Sequence, residues 1–294
     1  MLEKLKKPES VIPSKPKFMV SGESGAGKTY FALDFHKPIM VDVEQGSTRP
    51  QYQEKLKKAG GMYFGREEGA NSFTEVTKLV KELSTTKHDF KTLIIDSFSH
   101  LYLSEAAEAE SRVGNDFGRD AKEANKPTRQ LISALEKLDL TVILIAHSKD
   151  KWERKANGKE IVNVGSTFDG YPKLEFILDL WIELQKGHKT FMVKKSRIES
   201  FPQGESFPLS YDRFSELYGK EILEKQSVPI VLSSPEEISR LTNLIDGLKI
   251  DKETQDKWLA KCEADSFIDL TKEQIGSLIK HCETLALKLM EVKK

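Results

Sequence analysis

Residues 18–29 read Phe-Met-Val-Ser-Gly-Glu-Ser-Gly-Ala-Gly-Lys-Thr. Three apolar residues, Phe18, Met19 and Val20, lead into Gly22, Gly25, Gly27, Lys28 and Thr29, the G-x-x-x-x-G-K-[ST] spacing of a phosphate-binding loop. Glycines there let the backbone take positive φ and bring successive N–H groups close to a triphosphate. A helix opening near Gly27 adds the positive end of its dipole. Gly22, Glu23, Ser24, Gly25, Ala26 and Gly27 are therefore expected to cradle phosphates. Lys28 would reach the β- and γ-phosphates, and the Thr29 hydroxyl would ligate Mg²⁺. The competing reading is an accidental glycine-rich turn. The apolar strand before it and the helix-forming Tyr30-Phe-Ala-Leu33 after it argue for a nucleotide-binding loop.

With 294 residues, 38% hydrophobic and 31% charged, the chain has room for one large core and a smaller second module. No apolar run approaches the roughly 18 residues that span a bilayer, so no membrane partner is expected. The charged start, Met1 to Ser10, is not followed by an apolar region and does not read as a secretory signal. The two cysteines, Cys262 and Cys282, make no disulfide framework, which fits a reducing cytoplasm. Cys282 shares a helical face with Ile275, Leu278 and Leu285 and reads as a buried thiol. The 46 basic and 46 acidic residues balance, and a zero net charge neither suggests nor excludes nucleic acid.

Residues 1–16 carry Lys4, Lys6, Lys7 and Lys15 among three prolines and read as an extended lead-in. Strands are expected at Pro38–Glu44, Met62–Phe64, Thr92–Asp96 and Thr141–His147, with helices over about 49–59, 73–83, 97–111 and 125–138. Buried strands alternating with helices predict an α/β fold, a mostly parallel doubly wound sheet covered on both faces. Leu174–Glu183 and Thr190–Lys194 read as two further strands extending one edge in an antiparallel sense. Composition shifts after residue 225, so the core is taken as 17–225. Ser234-Pro-Glu-Glu237 and Thr271-Lys-Glu-Gln274 are helix-start signals, and 232–294 reads as a small C-terminal helical module of three helices.

Asp96 ends an apolar strand, which places it beside the phosphate loop as a second Mg²⁺ ligand. A Glu often follows such an Asp in P-loop ATPases, but Ser97 stands there, so a base must come from elsewhere. Glu44 ends the strand after the loop's helix and could take a proton from an in-line water, with Asp42 the runner-up. His147, at another strand end, could sense the γ-phosphate; the plainer reading is a histidine capping the sheet. Lys195 and Arg197 alternate at a strand end and would point the same way. Residues 149–166 hold Lys149, Lys151, Arg154, Lys155 and Lys159 around Trp152, the composition of a single-strand groove with a stacking platform. A solvated hairpin turning at Ala156-Asn-Gly158, with Trp152 packed on the domain, is the alternative.

Gly22–Thr29, Ile39–Glu44, Leu93–Ser97 and Leu144–His147, in that order, resemble the RecA-like P-loop ATPase core. The resemblance implies that Glu44 is the catalytic base. It also implies that Lys195 and Arg197 reach a neighbouring subunit's γ-phosphate, and that Tyr52, in Pro50-Gln-Tyr52, stacks near adenine. His147 stands where bacterial RecA has Gln. A compact core with a helical tail looks most like phage-encoded single-strand-annealing recombinases. The expectation is then an ATP hydrolase that requires Mg²⁺, assembles as a ring or filament and acts on single-stranded DNA in recombination or annealing. Its C-terminal module would serve a single-strand-binding or replication protein. Two rivals remain: a P-loop kinase of a small-molecule acceptor with 149–166 as a basic lid, and an ATPase that loads or packages by acting on protein.

Overall fold

The computed structural model describes residues 14–114, 119–154, 160–262, 264 and 266–292. The expected doubly wound sheet is present. β1 (Lys17–Gly22) is followed by α1 (Lys28–Ala32), β2 (Pro38–Asp42), α2 (Pro50–Lys58), β3 (Met62–Phe64), α3 (Phe73–Thr85) and β4 (Thr92–Asp96). Then come α4 (Phe98–Val113), α5 (Arg119–Lys137), β5 (Thr141–Arg154), β6 (Ile161–Phe168), α6 (Leu174–Ile177), β7 (Leu180–Leu184), β8 (Thr190–Ser196) and β9 (Ser206–Pro208). The short helices α7 (Tyr211–Tyr218) and α8 (Lys220–Glu224) precede α9 (Pro235–Leu248), α10 (Lys252–Cys262) and α11 (Lys272–Val292).

The strand order is β3-β2-β4-β5-β1-β7-β8-β9, with β6 paired to β5 outside that path. From β3 to β7 every neighbouring pair is parallel. The carboxyl ends of β1, β2, β4 and β5 therefore form one rim, and β5 sits between the phosphate-loop strand and the strand ending in Asp96.

Alternation along the strands sends two apolar sets to opposite faces. Phe18, Val20, Met40, Ile94, Ile143 and Ile145 join Phe31 and Phe35 from the α1 region and Phe201, Phe207 and Phe214 from the chain after β8. The ring centroids of Phe18 and Phe214 lie 4.9 Å apart, and those of Phe201 and Phe214 5.0 Å apart. The intervening residues Met19, Leu93, Ile95, Val142 and Leu144 are fully buried as well. On the other face α4 lies against β5 and α5, and Phe98 meets Phe73 of α3 edge to face.

Two expectations fail at the far edge. Leu174–Glu183 is not one strand: Leu174–Ile177 winds a helical turn, and only Leu180–Leu184 is extended. A short apolar run does not distinguish these conformations by period. Nor does β7 run antiparallel; Asp179 accepts the Lys17 N–H on its carboxylate at 2.9 Å and returns its own N–H to Lys17 O at 2.9 Å, setting β7 parallel to β1. Only β8 and β9 reverse the sense. β9, α7 and α8 answer to no expectation.

The chain divides into two compact units, the second made of Leu83–Lys87 with Val228–Lys294. The division thus falls between Ser227 and Val228, and the short segment from the end of α3 belongs with the second unit, where Ile230 N–H donates to Ser84 O at 2.7 Å. In that unit α9 opens on a capping box between Ser234 and Glu237. α10 starts where the Asp251 carboxylate accepts from Thr254 N–H, and α11 where Thr271 and Gln274 exchange hydrogen bonds. Leu241, Ile245, Leu259, Leu270, Ile275, Ile279 and Cys282 fill its own core. Among the described residues no helix is long and apolar enough to cross a membrane.

Candidate active site

The phosphate loop leaves β1 at Gly22, where φ is +151° and a Cβ would stand 2.5 Å from Leu184 O of β7. Only glycine fits that approach. Glu23, Ser24 and Gly25 face solvent, Ala26 is buried, and Gly27, at φ +92°, opens α1. Lys28 is buried and folds back, its Nζ donating to Gly22 O at 2.8 Å and Glu23 O at 2.9 Å. Burial lowers its pKa, against the pull of Asp96 and Glu44. A cation held only by carbonyls, at the mouth of a loop with exposed backbone, is suited to exchange them for phosphate oxygens.

Thr29 Oγ1 donates to Asp96 Oδ2 at 2.6 Å. Burial pushes the Asp96 carboxyl up to about 6; the Thr29 hydrogen bond and Lys28 oppose this, while Glu44 and Asp42 add repulsion. A buried carboxylate under that repulsion, touching a hydroxyl at a phosphate loop, is the oxygen donor set that suits Mg²⁺. Thr29 and Asp96 would hold it.

The two candidate bases have different work. Asp42 is fully buried, and its Oδ1 accepts Gly46 N–H at 2.7 Å while its Oδ2 accepts Ser47 N–H at 2.8 Å and the Ser47 hydroxyl. It organises the turn after β2. Glu44 lies past that strand on the open rim. Its Oε1 receives His147 Nε2 at 2.8 Å and His100 Nδ1 at 2.7 Å. Burial alone would raise its carboxyl; hydrogen bonds from His147, Ser97 and His100 outweigh that and hold it at about 2. The backbone fixes each partner. Val43 N–H donates to Asp96 O at 2.8 Å, His147 N–H donates to Ser99 Oγ at 2.9 Å, and His100 N–H donates to Ser97 Oγ at 3.2 Å at the start of α4.

Loop, Asp96, Glu44 and His147 thus stand on one rim. Tyr52 is half-buried in α2, packed against the core. Lys195 and Arg197 lie at the other end of the sheet, because β8 runs antiparallel: Ser196 pairs with Leu180, which aligns with Phe18 rather than Gly22. Four residues of strand, about 13 Å, separate those levels. Lys195 Nζ donates to Leu178 O, and Arg197 to Ile177 O and Phe176 O, so both point the same way. Within one chain neither reaches the phosphate loop.

Beyond His147, β5 continues out of the sheet and pairs with β6 as an antiparallel ribbon, Ser148 facing Phe168 and Arg154 facing Ile161. Trp152 is 59% exposed rather than packed on the domain. Lys149 pairs with Asp169 at 2.7 Å and Lys151 with Glu153 at 2.7 Å; Arg154 is exposed. Lys155, Lys159 and the expected turn at 156–158 lie outside the described residues, as do residues 1–13 of the lead-in.

The sequence reading missed two residues. His100 sits in the first turn of α4, and the signal available was a Ser N-cap at 97 directly after the strand-end Asp96, which aims that turn at the rim. Glu183, buried in β7, accepts from Ser166 at 2.6 Å and Lys194 at 3.1 Å, tying the root of the ribbon to β8. A lone Glu in an apolar strand was its only trace.

A family model described as an AAA domain matches residues 14–203. No curated protein matches the chain.

Proposed function

The chain belongs to the AAA-domain family of P-loop ATPases, and on that premise we propose that it hydrolyses ATP as an oligomer, ring or filament, and couples hydrolysis to single-stranded DNA in recombination or strand annealing. One observation carries the reading: β5 delivers His147 to the Glu44 carboxylate and, without interruption, becomes the exposed ribbon bearing Lys149, Lys151, Trp152 and Arg154. A change at the phosphates has a covalent route to the ribbon.

In this scheme Lys28 leaves its carbonyls for the β- and γ-phosphates. Thr29 and Asp96 would hold Mg²⁺, which would supply charge neutralisation at the phosphates. Glu44 orients and deprotonates the attacking water, and His147, on the same oxygen, responds when that carboxylate turns to its task. Lys195 and Arg197, remote from their own loop, serve a neighbour's γ-phosphate, which requires a head-to-tail assembly. Lys149 and Lys151 give up weak, solvent-exposed ion pairs with Asp169 and Glu153 to meet DNA phosphates. Lys155 and Lys159 extend the same basic run. The second unit is assigned a single-strand-binding or replication protein as its partner.

Anisotropy of labelled oligo-dT, with and without a non-hydrolysable ATP analogue, tests the coupling. Binding should tighten with the analogue and show a slope of log K on log salt of about −3.5 per protomer if Lys149, Lys151, Arg154, Lys155 and Lys159 all contact phosphates. Affinity and slope unchanged after neutralising them would remove the ribbon from the interface.

A further inference from the structure

Glu44, His100 and His147 come from three separate elements, and their Oε1, Nδ1 and Nε2 atoms all lie within 4.8 Å of one another. We propose that they form a binding site for a d-block divalent cation of the zinc class, separate from the Thr29–Asp96 pair, and that filling it withdraws the Glu44 carboxylate from the attacking water. The second half of this rests on the base role given to Glu44 above; the first half does not.

Ligand type carries the first argument. Two imidazole nitrogens and one carboxylate oxygen suit zinc, copper, nickel or iron, whereas Mg²⁺ prefers oxygen and retains its waters. Millimolar Mg²⁺ that loads the nucleotide site would leave this one to scarcer ions. Geometry carries the second. Zinc bonds of about 2.0–2.1 Å place tetrahedral ligands roughly 3.3 Å apart, and Oε1 already sits 2.7 Å from His100 Nδ1 and 2.8 Å from His147 Nε2. Opening these contacts by about half an ångström admits the ion. The side chains stand on backbone held by the hydrogen bonds of Val43, His100 and His147, so little ordering remains to be done. Access carries the third: the side chains are 32%, 50% and 33% exposed for Glu44, His100 and His147, leaving a fourth position for water.

Metal binding exchanges the protons shared between imidazoles and carboxylate for the cation. With Oε1 bound to metal, the Glu44 carboxylate is held toward the cation and its remaining oxygen is less basic, so it is a poorer acceptor for the water proton. Hydrolysis then slows while nucleotide binding, which uses Lys28, Thr29 and Asp96, continues.

The test is a Co²⁺ titration of the full chain in excess Mg²⁺ without nucleotide, followed by visible d–d absorption, with Zn²⁺ as competitor. One saturable site per chain is expected. His100→Ala and His147→Ala should each weaken it by more than the roughly 10–100-fold that outer-shell changes cost, and His100→Gln, which keeps polarity and fold, should do the same. Zn²⁺ should inhibit wild-type hydrolysis over the range in which it displaces Co²⁺, and His100→Ala should need proportionately more. Absence of a saturable band, or wild-type affinity in both histidine variants, overturns the site. Histidine-dependent binding that leaves hydrolysis untouched upholds the site and overturns the withdrawal of Glu44, while Glu44→Gln hydrolysing at the wild-type rate is what would overturn the base role.

Discussion

Asp42 and Glu44 lie two residues apart, and their surroundings predict opposite consequences when each is neutralised. Asp42→Ala removes the acceptor for two backbone N–H groups and one hydroxyl. The Ser47 N–H is buried and would be left without a partner, at about 1–3 kcal/mol, while the more accessible Gly46 N–H can turn to water at about 1 kcal/mol. A loss of about 2–4 kcal/mol follows, which for a unit of this size lowers its melting temperature by roughly 4–16 °C. Glu44→Gln, on the half-exposed rim, keeps shape and an acceptor oxygen for His100 and His147 and leaves no buried backbone N–H unpaired, so it should cost less stability than Asp42→Ala. It loses the base, so kcat should fall by roughly 10²–10⁴-fold with ATP still bound. Trp181 reports on the first unit alone: it is buried, and its Nε1–H donates to Ser21 Oγ at 2.7 Å. Thermal unfolding followed by its fluorescence, with Trp152 and Trp258 replaced by Phe, isolates the relevant transition, and phosphate release gives the rate. A stable, hydrolysis-dead Asp42→Asn beside a fully active Glu44→Gln would refute the assignment.

Lys28→Ala should abolish hydrolysis and weaken ATP binding, read by nucleotide titration and phosphate release, because the loop then has no point charge for the γ-phosphate. Mixing Arg197→Ala with Glu44→Gln should restore part of the ATPase, since the two groups sit at opposite ends of one sheet and meet only across an interface; no recovery in mixtures shown to co-assemble contradicts action in trans. Trp152→Ala should cost oligo-dT binding roughly 1–3 kcal/mol if a base stacks on the exposed ring, measured by anisotropy at fixed salt. Unchanged affinity would return Trp152 to a solvent-exposed strand residue.

Much of the rim was legible because strand ends are. An apolar run fixes the strand, and the first polar residue after it, Asp96 or His147, falls at the sheet's edge whatever the tertiary detail. At β2 the same rule points to Asp42 first and Glu44 two residues on, and the different surroundings of the two were not legible, because the Asp42 hydrogen bonds to the next turn depend on φ and ψ that no periodicity encodes. His100 was hidden for a related reason. On a helix its position reads as a surface residue, and only the packing of α4 against β5 turns it toward Glu44. Residues 198–225 carry Phe201, Phe207 and Phe214 on short, dissimilar elements with no repeat to reveal them, yet these rings form the floor beneath β1. The ribbon was half visible. Its composition was plain, whereas the continuation of β5 seven residues past His147, from Ser148 to Arg154, rests on pairing with β6.

The central claim, that the rim's ATP chemistry serves single-stranded DNA through the β5 ribbon, is tested most directly by steady-state ATP hydrolysis titrated with poly-dT, for wild type and for the ribbon variant lacking Lys149, Lys151, Trp152 and Arg154. Stimulation of the wild type, with the unstimulated rate retained but the stimulation lost in the variant, is the predicted result. Hydrolysis indifferent to DNA in both proteins, with phosphate passed to a small-molecule acceptor instead of water, would contradict it.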